Sequence, residues 1–267
     1  MERHRTISSS GFGELLRRWR ERRRLSQLDL ATDAEISTRH LSFIETGRAR
    51  PSREMVLHLA EQLDVPLRDR NALLLAGGFA PTYRETDLGA PEMEPVREAL
   101  DRLLDAHEPY PALVVDRHWN LVAANRPCGA LIAGVAPHLL GPPLNVMRAA
   151  LHPEGLASRI VNFAEWSAHL VDRLHRQVLL TGDEELRELE EELRGYPGVP
   201  ARGSHGGVEG ITEIAVTLRL RTDGGELSLL STIATFGTAV DITAAELAIE
   251  AFFPADAETA AALRSNG

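Results

Sequence analysis

The residues that could carry catalysis or bind a metal are few, and their spacing forms no known reactive group. Cys128 is the only cysteine, which excludes an intramolecular disulfide and a cysteine-based zinc site. His169 and His175 are six residues apart, on different faces of a helix, and make a poor metal pair. The glycines at 203–210 lack the flanking strand and helix of a phosphate loop, and the acidic run at 184–192 is typical of a solvated helix face. We therefore expect no catalytic residues, no metal site and no enzymatic activity.

Arginine is the remaining residue type that could bind a charged partner. Its balance with acidic residues differs between the two halves of the chain. The 267 residues have a net charge of −10, and every basic residue is arginine. Residues 1–80 contain 14 arginines against 11 acidic residues (+3), whereas residues 81–267 contain 15 against 28 (−13). Opposite charges on two segments indicate two modules with different partners. No apolar run reaches the ~18 residues of a membrane span, and the polar N-terminus lacks a signal peptide, so we expect a cytoplasmic protein without a membrane partner.

Five short helices are predicted within residues 1–80, because apolar side chains recur there at helical spacing. Ser26 and Ser37 stand where they can cap the second and third helices, and Gly47 can end the third. Pro51 and Pro66 are suited to begin the fourth and fifth helices. An ordinary helical bundle with surface arginines has the same pattern, so the pattern alone leaves two interpretations open.

The segment from Leu25 to Gly47 resembles the helix-turn-helix of the phage lambda-type repressor family, often called XRE. It contains Leu-Ser-Gln-x-x-Leu-Ala followed by Ile-Glu-x-Gly at the expected spacing. The resemblance covers residues 11–66 and implies a domain that binds double-stranded operator DNA, with the second helix of the motif in the major groove. It also implies an internal salt bridge between Arg20 and Glu45. The family usually has glycine in the turn where this chain has Glu35, which would be strained if its φ is positive.

The same resemblance implies a role for individual residues of this surface. Gln27 is expected to contact a phosphate. Thr38, Arg39, Ser42 and Phe43 are expected to face the bases, with Arg39 suited to guanine O6 and N7 and Phe43 to a thymine methyl group. The arginines that follow the recognition helix are expected to contact phosphates. They are Arg48, Arg50 and Arg53.

Residues 96–267 are predicted to form an α+β domain, separated from the helical domain by a proline-rich linker at residues 81–95. Two short runs at 112–116 and 119–124 predict a β-hairpin. Helices follow, the longest at 160–180. Three further strands are predicted at 211–221, 226–236 and 247–253. This order is that of a PAS-like domain, a five-stranded antiparallel sheet with helices over one face, although many α+β folds share it.

Short motifs in this half resemble the MmyB-like ligand-binding domain, a PAS-like module found behind an XRE helix-turn-helix. They include Glu-Pro-Tyr-Pro-Ala from Glu108, Asp-Arg-His-Trp-Asn-Leu-Val from Asp116, and Phe-Phe-Pro-Ala-Asp from Phe252. Together with the N-terminal motif, the resemblance covers nearly the whole chain. It implies a one-component repressor or activator of transcription whose sensor binds a small apolar molecule, with a fatty acid as the suggested ligand.

Within such a domain, the ligand cavity would lie between the sheet and the helices. Its expected walls include Phe163 and Trp166, although aromatic residues at such positions more often belong to a filled core. A fatty-acid carboxylate needs a polar partner at one end of an apolar tunnel, and Arg148 and His169 are the candidates. Asn125 is either a ligand contact or a helix cap. The full set of candidate ligand-binding residues is Asn125, Asn145, Arg148, Phe163, Trp166, His169 and Phe236.

Two other interpretations of the C-terminal half stay open. A protein-interaction module without a small ligand would have a filled core, whereas a sensor would have a largely closed apolar cavity of several hundred Å³. A haem or flavin could occupy the same cavity, but no haem-ligating motif supports it, so we expect no cofactor beyond a fatty acid held as ligand.

A homodimer is expected, because one helix-turn-helix contacts only a few base pairs and family operators have two half-sites. We expect residues 96–267 to hold the dimer, because the apolar strand at 247–253 could lie at a sheet edge.

Overall fold

The computed structural model describes residues 11–201 and 216–265, which divide into two units. The first unit contains the residues up to Glu85 together with Val240–Ile242, and the second contains the rest. Part of the predicted linker therefore belongs to the first unit. Asn71 binds it there, because its Oδ1 accepts a hydrogen bond from the Thr82 backbone N–H at 2.9 Å and its Nδ2 donates to the Tyr83 carbonyl at 2.7 Å.

The first unit has the predicted five helices. Serine side chains cap three of them: Ser26, Ser37 and Ser52 each accept a hydrogen bond from the backbone N–H three residues later. Their apolar faces form one buried cluster that includes Leu16 and Leu59. The helices are α1 (Phe12–Arg22), α2 (Gln27–Asp33), α3 (Thr38–Glu45), α4 (Arg53–Gln62) and α5 (Leu67–Ala76).

The turn between α2 and α3 places a glutamate in the left-handed region of the backbone. Glu35 has φ +53°. This is the positive φ at which a residue with a side chain is strained. Its N–H donates to the Thr32 carbonyl at 3.1 Å, and the Ile36 N–H donates to the Ala31 carbonyl at 2.9 Å. These bonds hold the tight turn in a conformation that a residue with a Cβ adopts only at a cost of about 1 kcal/mol or more.

We expect Glu35→Gly to raise the free energy of unfolding by about 0.5–1 kcal/mol, because the relief of left-handed strain exceeds the added entropy of the unfolded chain. Urea unfolding of the full-length protein measures this change. The matched control is Glu61→Gly in α4, an exposed helical position where glycine should lower the free energy by about 1 kcal/mol. A loss of stability in both variants would contradict strain at Glu35.

The second unit contains the predicted five-stranded sheet, and every pairing in it is antiparallel. Its spatial order is β2-β1-β5-β4-β3, so the last strand of the sequence lies at the centre. The prediction of 247–253 as an edge strand is therefore wrong, because this strand pairs on both sides. Residues 211–215 of the predicted third strand lie outside the described residues. The strands are β1 (Ala112–Val115), β2 (Leu121–Ala124), β3 (Thr217–Thr222), β4 (Gly225–Thr235) and β5 (Ala248–Pro254).

Helices cover both faces of this sheet, and not one face as the PAS-like pattern predicts. Leu113 and Val115 of β1 pack in the larger core with the longest helix, whereas Ala112 and Val114 pack in a smaller core with Leu100. The helices are α6 (Glu94–His107), α7 (Arg126–Leu131), α8 (Val146–Leu151), α9 (Phe163–Thr181), α10 (Glu184–Arg194), α11 (Ile242–Ala245) and α12 (Ala257–Ser265), with 3₁₀ turns at Pro91–Met93, Pro137–Leu139 and Ala157–Arg159.

Candidate functional site

Helix α3, the predicted recognition helix, presents polar side chains on one face and buries the other. Leu41 and Ile44 are buried in the core of the first unit. Arg39 is exposed, and Thr38 and Ser42 are half-buried. The predicted base-facing residues therefore lie together on the outer face of one helix, as a major-groove helix requires.

Phe43 lies between two arginines on this surface. The guanidinium carbon of Arg39 is 5.3 Å from the centre of the Phe43 ring, and that of Arg48 is 6.0 Å from it. Both distances are in the range of a cation–π contact. The ring therefore restrains the arginine predicted to bind guanine and the arginine predicted to bind phosphate.

A buried ion pair fixes α3 against α1. Arg20 Nε and Nη2 donate to the two carboxylate oxygens of Glu45 at 2.7 and 3.0 Å, which confirms the salt bridge that the resemblance implied. The hydrogen bond to Glu45 raises the pKa of the Arg20 guanidinium. The side-chain amide of Gln27 donates to the same carboxylate at 2.8 Å. Its predicted phosphate contact stays a prediction, and it would require Gln27 to share or exchange this partner.

The remaining arginines of the first unit differ in what they contact. Arg48, Arg50 and Arg53 are exposed after α3, and Arg53 donates to the Thr82 hydroxyl at 2.7 Å. Arg23, which directly follows α1, instead donates to the Leu63 carbonyl at 2.8 Å. This arginine therefore supports the fold.

We expect Arg39→Ala to relax the preference at one base pair by about 1–3 kcal/mol, and Arg48→Ala to weaken binding to all sequences alike. Selection of bound duplexes from a random library, followed by sequencing for the wild type and both variants, measures the two effects. If the two variants give the same selected profile, their assigned roles are wrong.

An apolar cavity of about 100 Å³ lies in the second unit, between the sheet and the helices. Leu113 and Phe252 line it from the sheet, and Trp166 and Leu170 line it from α9. Gly129 of α7 lines it as well. This volume is smaller than the several hundred Å³ expected of a sensor, and it is below the ~300 Å³ of the smallest common ligand pockets.

Arg173 and Glu250 are the two charged residues that line the cavity, and neither is among the predicted ligand-binding residues. Arg173 Nη1 lies 3.2 Å from Glu250 Oε1, and their side chains are 17% and 6% exposed. The Ser231 hydroxyl donates to the same oxygen at 2.6 Å. The Arg173 guanidinium carbon lies 4.4 Å from the centre of the Trp119 ring, and its buried Nε has no hydrogen-bond partner among the described residues.

A signal for both residues was present in the sequence. Arg173 follows Trp166 and Leu170 at helical spacing, so it occupies a core position of α9. Glu250 lies on the same side of β5 as Phe252, two residues away, in an otherwise apolar strand. A charged residue in each of two apolar patterns indicates a buried pair.

Arg148, predicted to hold a ligand carboxylate, does not line the cavity. Its Nε and Nη2 donate to the Glu192 carboxylate at 2.9 and 2.7 Å on the surface, where the Arg148 side chain is 41% exposed. The guanidinium lowers the pKa of Glu192. Arg148 therefore ties α8 to α10.

His169 is also outside the lining. It stacks on Trp166 with ring centres 5.7 Å apart. Burial, with a smaller contribution from Arg173, lowers the pKa of His169, which disfavours the charged form that a carboxylate would need.

The two predicted asparagines act as helix caps. Asn125 Oδ1 accepts from the Cys128 N–H at 3.2 Å, and its Nδ2 donates to the Tyr110 carbonyl at 2.8 Å. Asn145 Oδ1 accepts from the Arg148 N–H at 3.2 Å, and its Nδ2 donates to the His118 carbonyl at 2.8 Å. Since these bonds occupy both side chains and neither residue lines the cavity, the cap interpretation fits the structure.

Of the three predicted aromatic walls, only Trp166 lines the cavity. Phe163, at the start of α9, packs against the edge of the larger core next to Gly198. Phe236 packs in the smaller core on the opposite face of the sheet, with Ile249. These two aromatic residues therefore pack in the hydrophobic cores and do not line the cavity.

Cys128 lines the cavity, and its thiol is buried. Burial, with a smaller contribution from Glu250, raises the pKa of its thiol to about 12, so the thiol is protonated at neutral pH.

Among the described residues, His138, His152 and Glu154 form one group whose nitrogen and oxygen atoms lie within 4.8 Å of one another, close enough to hold a metal. The Nδ1 of His152 already accepts a hydrogen bond from the Glu154 N–H at 3.1 Å.

No helix in the described part of the chain is long and apolar enough to cross a membrane.

Comparison with known proteins gives two family matches. Residues 12–73 match a helix-turn-helix domain, and residues 96–265 match the family described as MmyB-like transcription regulator ligand binding domain. None of the curated proteins matches the chain. One solved structure, titled "Structure of an RNA-binding Light-Oxygen-Voltage Receptor", matches at 15% identity over 96% of this chain and 60% of that chain. Its TM-score of 0.27 is too low for any conclusion about function.

Proposed function

Because the chain belongs to the family with the MmyB-like transcription regulator ligand binding domain, we propose that it is a one-component regulator of the XRE type. The helix-turn-helix match supports a DNA-binding role for the first unit. In this proposal the partner is double-stranded DNA and the protein acts in the cytoplasm. In this proposal, a small apolar molecule in the second unit controls binding to the operator. Both family matches describe regulators, and neither describes an enzyme.

The cavity is the observation that supports a small-molecule ligand. Its walls are almost entirely apolar, and the paired Arg173 and Glu250 supply its charge. A fatty acid is the ligand that the family resemblance suggests, and Arg173 is the group that could meet its carboxylate. With a cavity of about 100 Å³, a long-chain fatty acid fits only if the walls move apart.

The small volume also supports a second candidate function, in which the second unit is a protein-interaction module without a ligand. Native mass spectrometry of the full-length protein, before and after organic extraction, separates the two. A bound small molecule that is lost on extraction supports the sensor. A protein that neither carries nor takes up any apolar compound supports the interaction module.

We expect Gly129→Phe to abolish the response of DNA binding to the ligand while leaving DNA binding itself intact. Gly129 lies in α7 with an ordinary helical backbone, lines the cavity, and has open space where a Cβ would stand. Because Gly129 both lines the cavity and is exposed, it lies where the cavity opens to the surface, and we expect a phenyl ring there to obstruct the cavity without distorting the helix. Fluorescence anisotropy of a selected duplex, with and without the extracted ligand, measures the response.

The matched control for this test is Ala130→Phe, an exposed neighbour on α7 that does not line the cavity. This variant should keep the full ligand response. If Gly129→Phe responds like the wild type, the cavity is not the ligand site.

We further propose a homodimer held by residues 96–267. Apolar side chains remain exposed in this half, among them Leu103 at 48%, Leu179 at 50% and Phe253 at 41%. Sedimentation of the full-length protein and of the two halves tests this, and we expect the C-terminal half to dimerise at tens of micromolar. A monomeric C-terminal half together with a dimeric N-terminal half would contradict it.

A further inference from the structure

Two histidines and a glutamate meet on the surface of the second unit. The nitrogen and oxygen atoms of His138, His152 and Glu154 that could bind a metal all lie within 4.8 Å of one another. The rings of His138 and His152 are in edge contact with their centres 5.6 Å apart, and His138 Nε2 lies 3.9 Å from Glu154 Oε2. None of the three residues lines the apolar cavity, so the ligand site described above does not account for this group.

Backbone hydrogen bonds hold the chain around this group in place. The Ala136 N–H donates to the Glu154 carbonyl at 3.0 Å, which ties the two contributing segments together. The Gly155 N–H donates to the His152 carbonyl at 2.8 Å. Gly155 passes so close to α8 that a Cβ there would overlap the Ala149 carbonyl oxygen. The three side chains therefore project from a backbone that keeps them together without a ligand.

Two imidazole nitrogens and one carboxylate oxygen are a donor set that zinc prefers in proteins. Zinc bonds of about 2.0–2.1 Å at tetrahedral angles place the ligand atoms about 3.4 Å apart. The atoms of this group are at present slightly further apart. Because the side chains of His138 and Glu154 are 57% and 67% exposed, rotation of these two side chains can close the difference without disturbing the core.

The hydrogen bond at His152 shows which contact a metal must displace. A neutral imidazole has one unprotonated nitrogen, and in His152 this nitrogen is Nδ1, which accepts the Glu154 N–H at 3.1 Å. A metal at Nδ1 takes the place of this N–H. A metal at Nε2 requires the ring proton on Nδ1, where it faces the same N–H. In both cases the Glu154 N–H loses its acceptor, so metal binding changes the environment of this backbone amide.

From these observations we infer that His138, His152 and Glu154 form a binding site for a divalent transition metal such as zinc. The site is separate from the ligand cavity, and the inference does not depend on the proposed function. Three protein ligands leave one position of a tetrahedral metal open to water. The metal joins the chain after α7 to the chain after α8, and since both helices line the cavity, it restrains one side of that cavity. His138 lies fourteen residues before His152, a separation that predicts no shared helix face, so the sequence alone predicts no metal site here.

Isothermal titration calorimetry of the full-length protein with zinc chloride at neutral pH tests the site. We expect His138→Ala and Glu154→Gln each to raise the dissociation constant at least about tenfold, because each removes one of three ligands. The matched control is His40→Ala, which removes a half-buried histidine from the first unit and should leave the dissociation constant unchanged. Since both substituted residues of the site are exposed, the two variants should keep the melting temperature of the metal-free wild type, which circular dichroism checks.

The Glu154 backbone amide gives an independent readout in a ¹H–¹⁵N spectrum. Zinc should shift this resonance in the wild type and leave it in place in His138→Ala at the same zinc concentration. Equal affinity of zinc for the wild type and for His138→Ala would overturn the inference, as would a wild type that binds no zinc. Zinc binding without a change at the Glu154 amide would place the metal elsewhere on the chain and would overturn it as well.

Discussion

A buried ion pair in an apolar core is the constraint on which the second unit depends. Removing an arginine and a glutamate from water costs several kcal/mol per ion, and their mutual attraction offsets this only with good geometry. Here Arg173 of α9 and Glu250 of β5 contact each other, and Trp119 and Ser231 contact them in turn. Loss of one partner would leave a buried charge and would cost about 3–5 kcal/mol. The pair therefore fixes the longest helix over the central strand, and the cavity lies beside it.

The first unit also contains a buried ion pair, and there it orients a surface helix. Arg20 of α1 and Glu45 of α3 form a bidentate pair in which the Glu45 side chain is only 2% exposed. Because the pair joins the recognition helix to the rest of the bundle, the outer face of α3 has a fixed orientation. The contact of Arg39 with Phe43 then restrains the side chain itself. Because these side chains are already restrained, the outer face of α3 would lose less conformational entropy on binding DNA.

The sequence was sufficient for much of the fold, because local patterns determine it. The caps Ser26 and Ser37 mark their helices, and short runs of apolar and β-branched residues mark the strands. The Arg20–Glu45 bridge was also correctly expected, since it depends on positions within one short motif. The motif raised the left-handed conformation of Glu35 only as a condition, which the structure meets. The central place of β5 was not predictable in this way, because strand order depends on contacts between residues far apart in sequence.

The ligand site was harder to predict, because the type of a residue does not determine on which face of the sheet its side chain lies. Phe236 differs in parity from Leu227 and Leu229, which face the larger core, and it lies on the opposite face. Arg148 was chosen for its charge, but an exposed carboxylate on α10 already pairs with it. The position of Arg173 in the apolar stripe of α9 distinguishes it from the surface arginines. Position within a hydrophobic pattern was thus more informative than residue chemistry alone.

The most direct measurement is the side-chain Nε–H resonance of Arg173 in a ¹H–¹⁵N spectrum of the full-length protein, assigned by its loss in Arg173→Gln. If a small molecule occupies the cavity as proposed, addition of a fatty acid moves this resonance. The Nε–H of Arg148, which donates to Glu192 at 2.9 Å on the surface, stays in place and serves as the reference. An Arg173 resonance that does not move at saturating ligand would contradict the account.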